Sequence, residues 1–469
     1  MKIEQIYTGC LAQGAYYIQS GNEAVIIDPL REVDSYVTKA KENDATIKYI
    51  FETHFHADFV SGHVDLAKKT GAQIVFGPTA TTVFDSHIGK DGEIFEVGAV
   101  KIKLLHTPGH TMESSTFLLL DEEGKEKAIF SGDTLFIGDV GRPDLAVKSD
   151  LTEEDLAGHL YESLRYKIMT LPDDVVVYPA HGAGSACGKN MSSETWDTLG
   201  NQKKTNYALR ADMTKEEFVK EVTEGILPPP QYFAKNAMMN KSGYESIDKV
   251  MKTGTVALDV EIFEAMANHE GALVLDTRHQ SEFVKAHIPN SIFIGIDGSF
   301  APWVGALITD LKQPIIFLAD AGREEEVVTR LSRVGYDHTL GYLKGGIASW
   351  IAAGKETDSL ASITPQEFES RLSESKLQIL DVRKPGEYGA EHVDQAVTFP
   401  LDFINTHMSE VSADKQYYLY CAGGYRSVIA SSILKSRGIH DLVNVELGFK
   451  GISQTGIKTT DFVCPSTIK

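Results

Sequence analysis

A stretch in the second half of this chain is written twice, and that repetition limits the architecture more than any other feature. Leu275-Asp276-Thr277-Arg278, followed by Glu282-Phe283 and His287-Ile288, returns at a constant offset as Leu380-Asp381-Val382-Arg383, Glu387-Tyr388 and His392-Val393. Each copy continues into a second β run and a helix-like stretch, and closes on a Gly-rich turn, Lys344-Gly345-Gly346-Ile347 or Lys450-Gly451-Ile452. Two copies of a small α/β domain explain this pattern, and two units are too few for a solenoid. The expected boundaries are 255–358 and 359–469, reached through a linking segment at 231–254 that follows Pro228-Pro229-Pro230.

The first part, 1–230, has a different texture. Val25-Ile26-Ile27-Asp28, Lys48 to Phe51, Ile102 to Leu105, Ala128 to Phe130 and Val175 to Tyr178 read as strands, while Asp65 to Lys69 and Glu153 to Met169 read as helical. The chain has 469 residues, enough for about three domains. Its 45 basic against 66 acidic residues give a net charge of −21, which repels phosphate backbones and argues against nucleic acid as a partner. The start, Met1-Lys2-Ile3-Glu4, has no charged-then-apolar signal pattern, and no apolar run approaches ~18 residues. A cytoplasmic protein without membrane contact is the expectation. The four cysteines, Cys10, Cys187, Cys421 and Cys464, are too scattered for a disulfide framework, so a special one among them is expected to be catalytic.

Imidazoles and carboxylates follow successive strands of the first part. They are His54, His56 and Asp58 in Thr53-His54-Phe55-His56-Ala57-Asp58-Phe59, His110 in Thr107-Pro108-Gly109-His110, Asp133 in Ser131-Gly132-Asp133-Thr134, and His181 in Pro179-Ala180-His181-Gly182. Ligands at strand ends can converge on one edge of a sheet, and this mixture suits zinc or iron. These residues resemble the metallo-β-lactamase superfamily, whose first motif is H-x-H-x-D-H and whose fold is an αβ/βα sandwich. Phe59 stands where the last His of that motif belongs. A phenyl ring cannot ligate, so one metal is favoured over two.

Within the superfamily the chain is most similar to the persulfide dioxygenases. The similarity rests on Gly141-Arg142-Pro143-Asp144, Tyr178-Pro179-Ala180-His181, Gly184-Ser185-Ala186-Cys187-Gly188-Lys189 and the exit at Pro228 to Tyr232. The resemblance implies a single Fe(II) per chain held by His54, His110 and Asp133, with zinc as an alternative occupant on purification. It makes His56, Asp58 and His181 neighbours of the metal rather than ligands. Arg142, Tyr178 and Cys187 are then expected to face the substrate, Arg142 by gripping a carboxylate of the thiol carrier or by pairing with Asp144 or Asp139.

The second copy of the repeat contains Tyr420-Cys421-Ala422-Gly423-Gly424-Tyr425-Arg426-Ser427, between a β run and a helical stretch. That puts Cys421 on a tight loop at a helix N-terminus, where backbone N–H groups, the helix dipole and Arg426 favour thiolate and anions. The segment resembles the rhodanese active loop, C-x-x-G-x-R-[ST], which implies transient persulfide on Cys421 with Ala422, Gly423, Gly424, Tyr425 and Ser427 forming the cradle. The first copy has Ala319-Asp320-Ala321-Gly322-Arg323 there and no cysteine, so a scaffold or docking role is expected of it.

The resemblance as a whole implies oxidation of a low-molecular-weight persulfide by O2 to sulfite and thiol, coupled to sulfur transfer giving thiosulfate or persulfide, in sulfide detoxification. Glutathione, coenzyme A and bacillithiol are all open as the thiol carrier, and a homo-oligomer is open too. Two rival readings are a hydroxyacylglutathione-type thioester hydrolase and a non-catalytic sulfur carrier.

Overall fold

The computed structural model describes residues 1–147, 150–374 and 376–464. Its contacts divide the chain into two compact units, residues 1–247 with 332–335, and 248–331 with 336–469.

In the first unit two six-stranded mixed sheets stack face to face. One runs Lys2–Thr8, Gln13–Ser20, Glu23–Ile27, Thr46–Phe51, Gln73–Phe76, His87–Ile88, and the other runs Asp197–Thr198, Val176–Pro179, Glu126–Gly132, Ser115–Leu120, Val100–His106, Ile94–Val97. Their strands alternate apolar side chains into the gap, where Tyr16, Ile18, Val25, Phe51, Val75, Phe95, Ile102, Phe117 and Phe130 form one core. The opposite faces are apolar too and need cover. Tyr36, Ala40 and Leu66, from the helices Asp34–Glu42 and His63–Thr70, cover the first sheet. Ala157, Leu160, Leu164, Leu199 and Phe218 cover the second. The result is an αβ/βα sandwich, the class expected from the sequence. The helix read from Glu153 to Met169 is α-helical over Glu153–Ser163 and widens into a π turn at Leu164–Ile168. Its start is set by Thr152, whose hydroxyl accepts from Asp155 N–H in a capping box.

The stretch expected to be a linking segment, 231–254, contains two helices, Phe233–Ser242 and Ile247–Gly254. Phe233, Asn236 and Asn240 are buried on the first of these.

The second unit holds the two repeats, each a five-stranded all-parallel sheet. The strand orders are Ala257–Leu258, Thr339–Leu343, Ile315–Leu318, Leu273–Asp276, Ile292–Phe293, and Ala361–Ile363, Leu442–Val445, Tyr417–Tyr420, Ile379–Asp381, Val397–Thr398. Both copies therefore share one topology, and their signature residues do the same work. Arg278 Nη2 lies 2.6 Å from Asp276 Oδ2 and donates to Ala286 O, as Arg383 Nη2 lies 2.6 Å from Asp381 Oδ2 and donates to Glu391 O. His287 stacks on Phe283 at 3.9 Å and His392 on Tyr388 at 3.6 Å. Each buried guanidinium is thus satisfied by one carboxylate and one carbonyl that ties the strand end to the following helix. Removing the carboxylate with Asp381→Ala leaves the buried Arg383 charge unpaired. The expected cost is about 3–5 kcal/mol, read as a lower denaturation midpoint for this unit; an unchanged midpoint would show that the pair does not hold the repeat together.

Candidate metal centre and sulfur-transfer loop

The strand Thr46–Phe51 ends in Glu52-Thr53-His54, and Glu126–Gly132 ends in Asp133, so both groups leave their sheets at the same edge. His110 is delivered by a loop pinned against the helix Glu153–Ser163. Ser163 Oγ donates to Pro108 O, and Gly109 sits at φ +144° where a Cβ would lie 2.4 Å from Leu160 backbone atoms. Only glycine fits there, and the close approach sets the direction of His110.

His54, His110 and Asp133 bring one ligand atom each within 4.8 Å of one another, all buried. His110 Nε2 is 3.4 Å and His54 Nε2 3.7 Å from Asp133 Oδ2, an oxygen with no hydrogen-bond partner. The far side of each ring fixes its tautomer. His110 Nδ1 is 2.8 Å from Arg142 O, which can only accept, so Nε2 keeps its lone pair. His54 Nδ1 is 3.0 Å from Thr53 Oγ1, whose single hydrogen goes to Asp28 Oδ2 at 2.9 Å, so His54 too presents Nε2. Burial, with His56 close by, pushes the His54 imidazole toward its neutral, ligating form. Although burial works against its charge, Asp133 is held well below the usual carboxylate range by His181, His54 and His110. Two imidazoles that present Nε2 and one ionised carboxylate with an unpartnered oxygen fit a divalent metal.

A second set, His56, Asp58 and His181, also converges within 4.8 Å. His181 lies between two carboxylates, with Nδ1 2.8 Å from Asp133 Oδ1 and Nε2 2.9 Å from Asp58 Oδ2. Burial opposes its charge, but Asp133 and Asp58 raise its pKa well above the usual imidazole value. Phe59 fills the place of the expected fourth histidine, its ring 4.3 Å from that of His56. Cys187 reaches both Asp133 and His181 within the same 4.8 Å. Burial, then the charges of Asp58 and Asp133, push its thiol up, so it lines the pocket as a protonated group.

Of the two roles expected of Arg142, the structure shows the pairing with Asp144. The Arg142 fork is closed internally, with Nε 2.6 Å from Asp144 Oδ1 and Nη2 2.7 Å from Asp144 Oδ2, and further bonds to Ala186 O and Leu227 O. It ties down the pocket wall rather than presenting donors to a carrier. Tyr178, half-buried, stacks on Phe130 at 5.4 Å and packs beside Tyr16 against the core between the sheets, on the face that alternation along its strand gives it.

Other contributors escaped the sequence reading. Asp28, at φ +51°, accepts from Thr53 N–H and hydroxyl, and its Oδ1 is 3.1 Å from His56 Nε2. Glu52 accepts from the Ser61 hydroxyl and lies 3.3 Å from His63 Nδ1. Burial and the Asp28 charge raise the Glu52 carboxyl, and burial lowers His63 to about 3, so this pair sits largely uncharged. Asn240 donates to His56 O and Phe59 O and accepts from Ser61 N–H, all at 2.8 Å, bracing the loop that carries His56 and Asp58. Asp28 and Glu52 were findable as acids at the end of apolar strands, the signal used for Asp133. His63 and Asn240 carry no comparable signal.

In the second repeat, Tyr417–Tyr420 leads into the loop and the helix Tyr425–Ser436 leads out. Gly424, at φ +95°, directs its N–H onto Cys421 Sγ at 3.1 Å, and the Ser427 hydroxyl reaches the same sulfur at 3.6 Å. Cys421 is buried, while Ala422 and Gly423 are exposed. Arg426 differs from expectation. Both its Nη atoms bond Glu387, at 2.7 and 2.8 Å, and burial notwithstanding, Arg426 keeps that carboxyl below its usual range. Its charge reaches the sulfur from a closed ion pair, and the Gly424 N–H and the Ser427 hydroxyl make the direct contacts. In the first repeat Arg323 beside Asp320 is paired with Glu326 and Asp297.

Residues 8–181 match the model of the metallo-beta-lactamase superfamily, and residues 259–353 and 364–455 match the rhodanese-like domain. The chain belongs to the metallo-β-lactamase superfamily and carries two rhodanese-like domains. The mitochondrial persulfide dioxygenase ETHE1 of Homo sapiens and that of Bos taurus are each 32% identical over 215 residues, 45% of this chain and 76% of the relative. The probable hydroxyacylglutathione hydrolase glo2 of Schizosaccharomyces pombe is 35% identical over 161 residues, 33% of this chain and 57% of the relative. A metallo-beta-lactamase structure from Staphylococcus aureus subsp. aureus COL is 31% identical with a TM-score of 0.64, covering 73% of this chain and 98% of its own.

The Thr53 hydroxyl links Asp28 to His54 and has no other substitute in the site. Thr53→Val is expected to weaken metal binding about 10–100-fold, as loss of an orienting partner does elsewhere. Competition against a chelator of known affinity measures it; unchanged affinity would mean that Asp28 and Thr53 do not orient His54.

Proposed function

We propose that the first domain oxidises the terminal sulfur of a low-molecular-weight persulfide with O2, yielding sulfite and the thiol, and that Cys421 exchanges sulfane sulfur with the same pool. Phe59 carries the reading. It removes a ligand from the second metal position and leaves His54, His110 and Asp133 as a two-histidine, one-carboxylate face. Fe(II) bound there supplies open coordination positions and a redox change that zinc lacks.

The chain's own residues then have plain tasks. Thr53 and Arg142 O fix the tautomer and the aim of the two imidazoles. His181, charged between Asp133 and Asp58, compensates the buried carboxylates. Cys187, kept protonated, borders the pocket without adding another negative charge beside an anionic persulfide. On its own loop, the Cys421 sulfur attacks the outer sulfur of a persulfide or thiosulfate, and the thiol or sulfite leaves. The Gly424 N–H stabilises charge on the sulfur, and a second thiol or sulfite later removes the outer atom. The persulfide dioxygenases among the relatives support the first half of this reading, and the rhodanese-like matches support the second.

A thioester hydrolase is the second reading, favoured by the convergence of His56, Asp58 and His181 and by the hydroxyacylglutathione hydrolase relative. Parallel assays separate the two. Fe(II)-loaded protein given glutathione, coenzyme A or bacillithiol persulfide should consume O2 and release sulfite. Cys421→Ser should keep O2 uptake while losing thiosulfate-to-thiol exchange. Hydrolysis of S-lactoylglutathione without O2 uptake on any persulfide would overturn the dioxygenase reading, and unchanged exchange in Cys421→Ser would remove Cys421 from the chemistry.

A further inference from the structure

The first repeat has no nucleophile in its loop, yet it grips the active loop of the second. Tyr425 directly follows Gly424, the residue whose N–H meets Cys421 Sγ, and its side chain leaves its own repeat altogether. Its hydroxyl donates to Gly295 O at 2.7 Å, and its ring stands edge-on to Phe293 at 5.8 Å. The slot it enters is cut by glycine. A Cβ on Gly298 would lie 2.3 Å from the Tyr425 ring, and one on Gly295 would lie 3.2 Å from it. Two turns along the same helix, Ser432 Oγ accepts the Phe293 N–H at 2.9 Å, a second tie between the helix and the first repeat. The slot is itself braced by the first repeat. Arg330 donates to Ile296 O at 2.6 Å, and Arg323, on the cysteine-less loop, holds Asp297 at 2.7 Å.

We propose that Tyr425 is a positioning residue through which the cysteine-less repeat, by its Gly295–Gly298 slot, sets the Cys421 loop. The start of the loop is held by its own repeat, where Phe449 N–H donates to Cys421 O and Lys450 N–H to Ala422 O, and the Gly424 end, whose N–H meets the sulfur, needs a constraint of its own. The phenol supplies that constraint from outside, one residue away. The first repeat thereby serves as shape: its cysteine-less loop props the slot through Arg323 and Asp297. The consequence for sulfur transfer rests on the reading of Cys421 given above, whereas the mechanical coupling does not.

The test uses the full chain with Gly298→Ala, Tyr425→Ala, Tyr425→Phe and the double variant Gly298→Ala/Tyr425→Ala. Two quantities are read, thiosulfate-to-thiol sulfur transfer and the rate at which iodoacetamide labels the Cys421 peptide, with thermal melting as the folding check. Gly298→Ala changes no atom of the catalytic repeat, yet it should slow transfer about ten- to a hundredfold, the scale of a small misplacement of reacting groups. It should also speed labelling of the otherwise buried thiol. Tyr425→Ala should do the same, and Tyr425→Phe, which keeps the ring, should do less. The double variant should be no worse than the poorer single, because both act through one contact. Wild-type transfer and labelling in a normally melting Gly298→Ala protein would overturn the proposal, as would additive losses in the double variant. Should Gly298→Ala fail to fold, wild-type behaviour of both Tyr425 variants overturns it equally. Labelling that responds in a protein whose wild type transfers no sulfur keeps the coupling and discards the function assigned to Cys421.

Discussion

Asp133 must stay ionised in a place where burial works against its charge, and the first unit is organised around that requirement. Its Oδ1 is matched by His181, whose other nitrogen leans on Asp58, while its Oδ2 is left facing His54 and His110. An unpaired buried oxygen of this kind is costly unless something positive meets it, and a metal ion does so while satisfying both imidazoles at once. The same need explains the outer groups. Asp28 anchors the hydrogen-bond chain that orients His54, and Glu52 and His63 avoid further cost by sitting largely uncharged.

The second unit obeys a similar rule with a different outcome. Each repeat buries an Arg–Asp pair at the end of the strand beside its central one, so the two copies share one frame. The loops diverged. In one, a glycine-directed N–H meets a cysteine sulfur; in the other, Arg323 closes on carboxylates and no sulfur chemistry is available. On the reading proposed above, the two rhodanese-like domains are one reactive loop and one wall that shapes it.

Much of this was legible in the sequence because its signals are local. A strand ending in His-x-His-x-Asp, or in Gly-Asp, states its own geometry, and so does a cysteine followed by glycines before a helix. The repeat was legible because Asp-x-Arg and the aromatic–His pairs recur at fixed spacing. What escaped depends on partners far apart in the chain. Asn240 braces the 56–61 loop from a helix inside the stretch read as a linking segment. Arg142 could bind a carrier or Asp144, and only the side-chain geometry decides for Asp144. Tyr178 looked like a pocket residue because it adjoins Pro179-Ala180-His181, but the two-residue alternation of a strand turns it against the core. Tyr425 was counted with the sulfur loop, while its side chain belongs to the first repeat's slot.

The account stands on the two ligand sets being unequal, with His54, His110 and Asp133 holding the metal and His56, Asp58 and His181 closed by their own ion pairing and by Phe59. Anomalous diffraction at the iron and zinc edges, on crystals of protein purified without oxygen, tests this most directly. The predicted result is a single iron per chain on the first set and no metal on the second. Two metals flanking Asp133, the second held by Asp58 and His181, would contradict it.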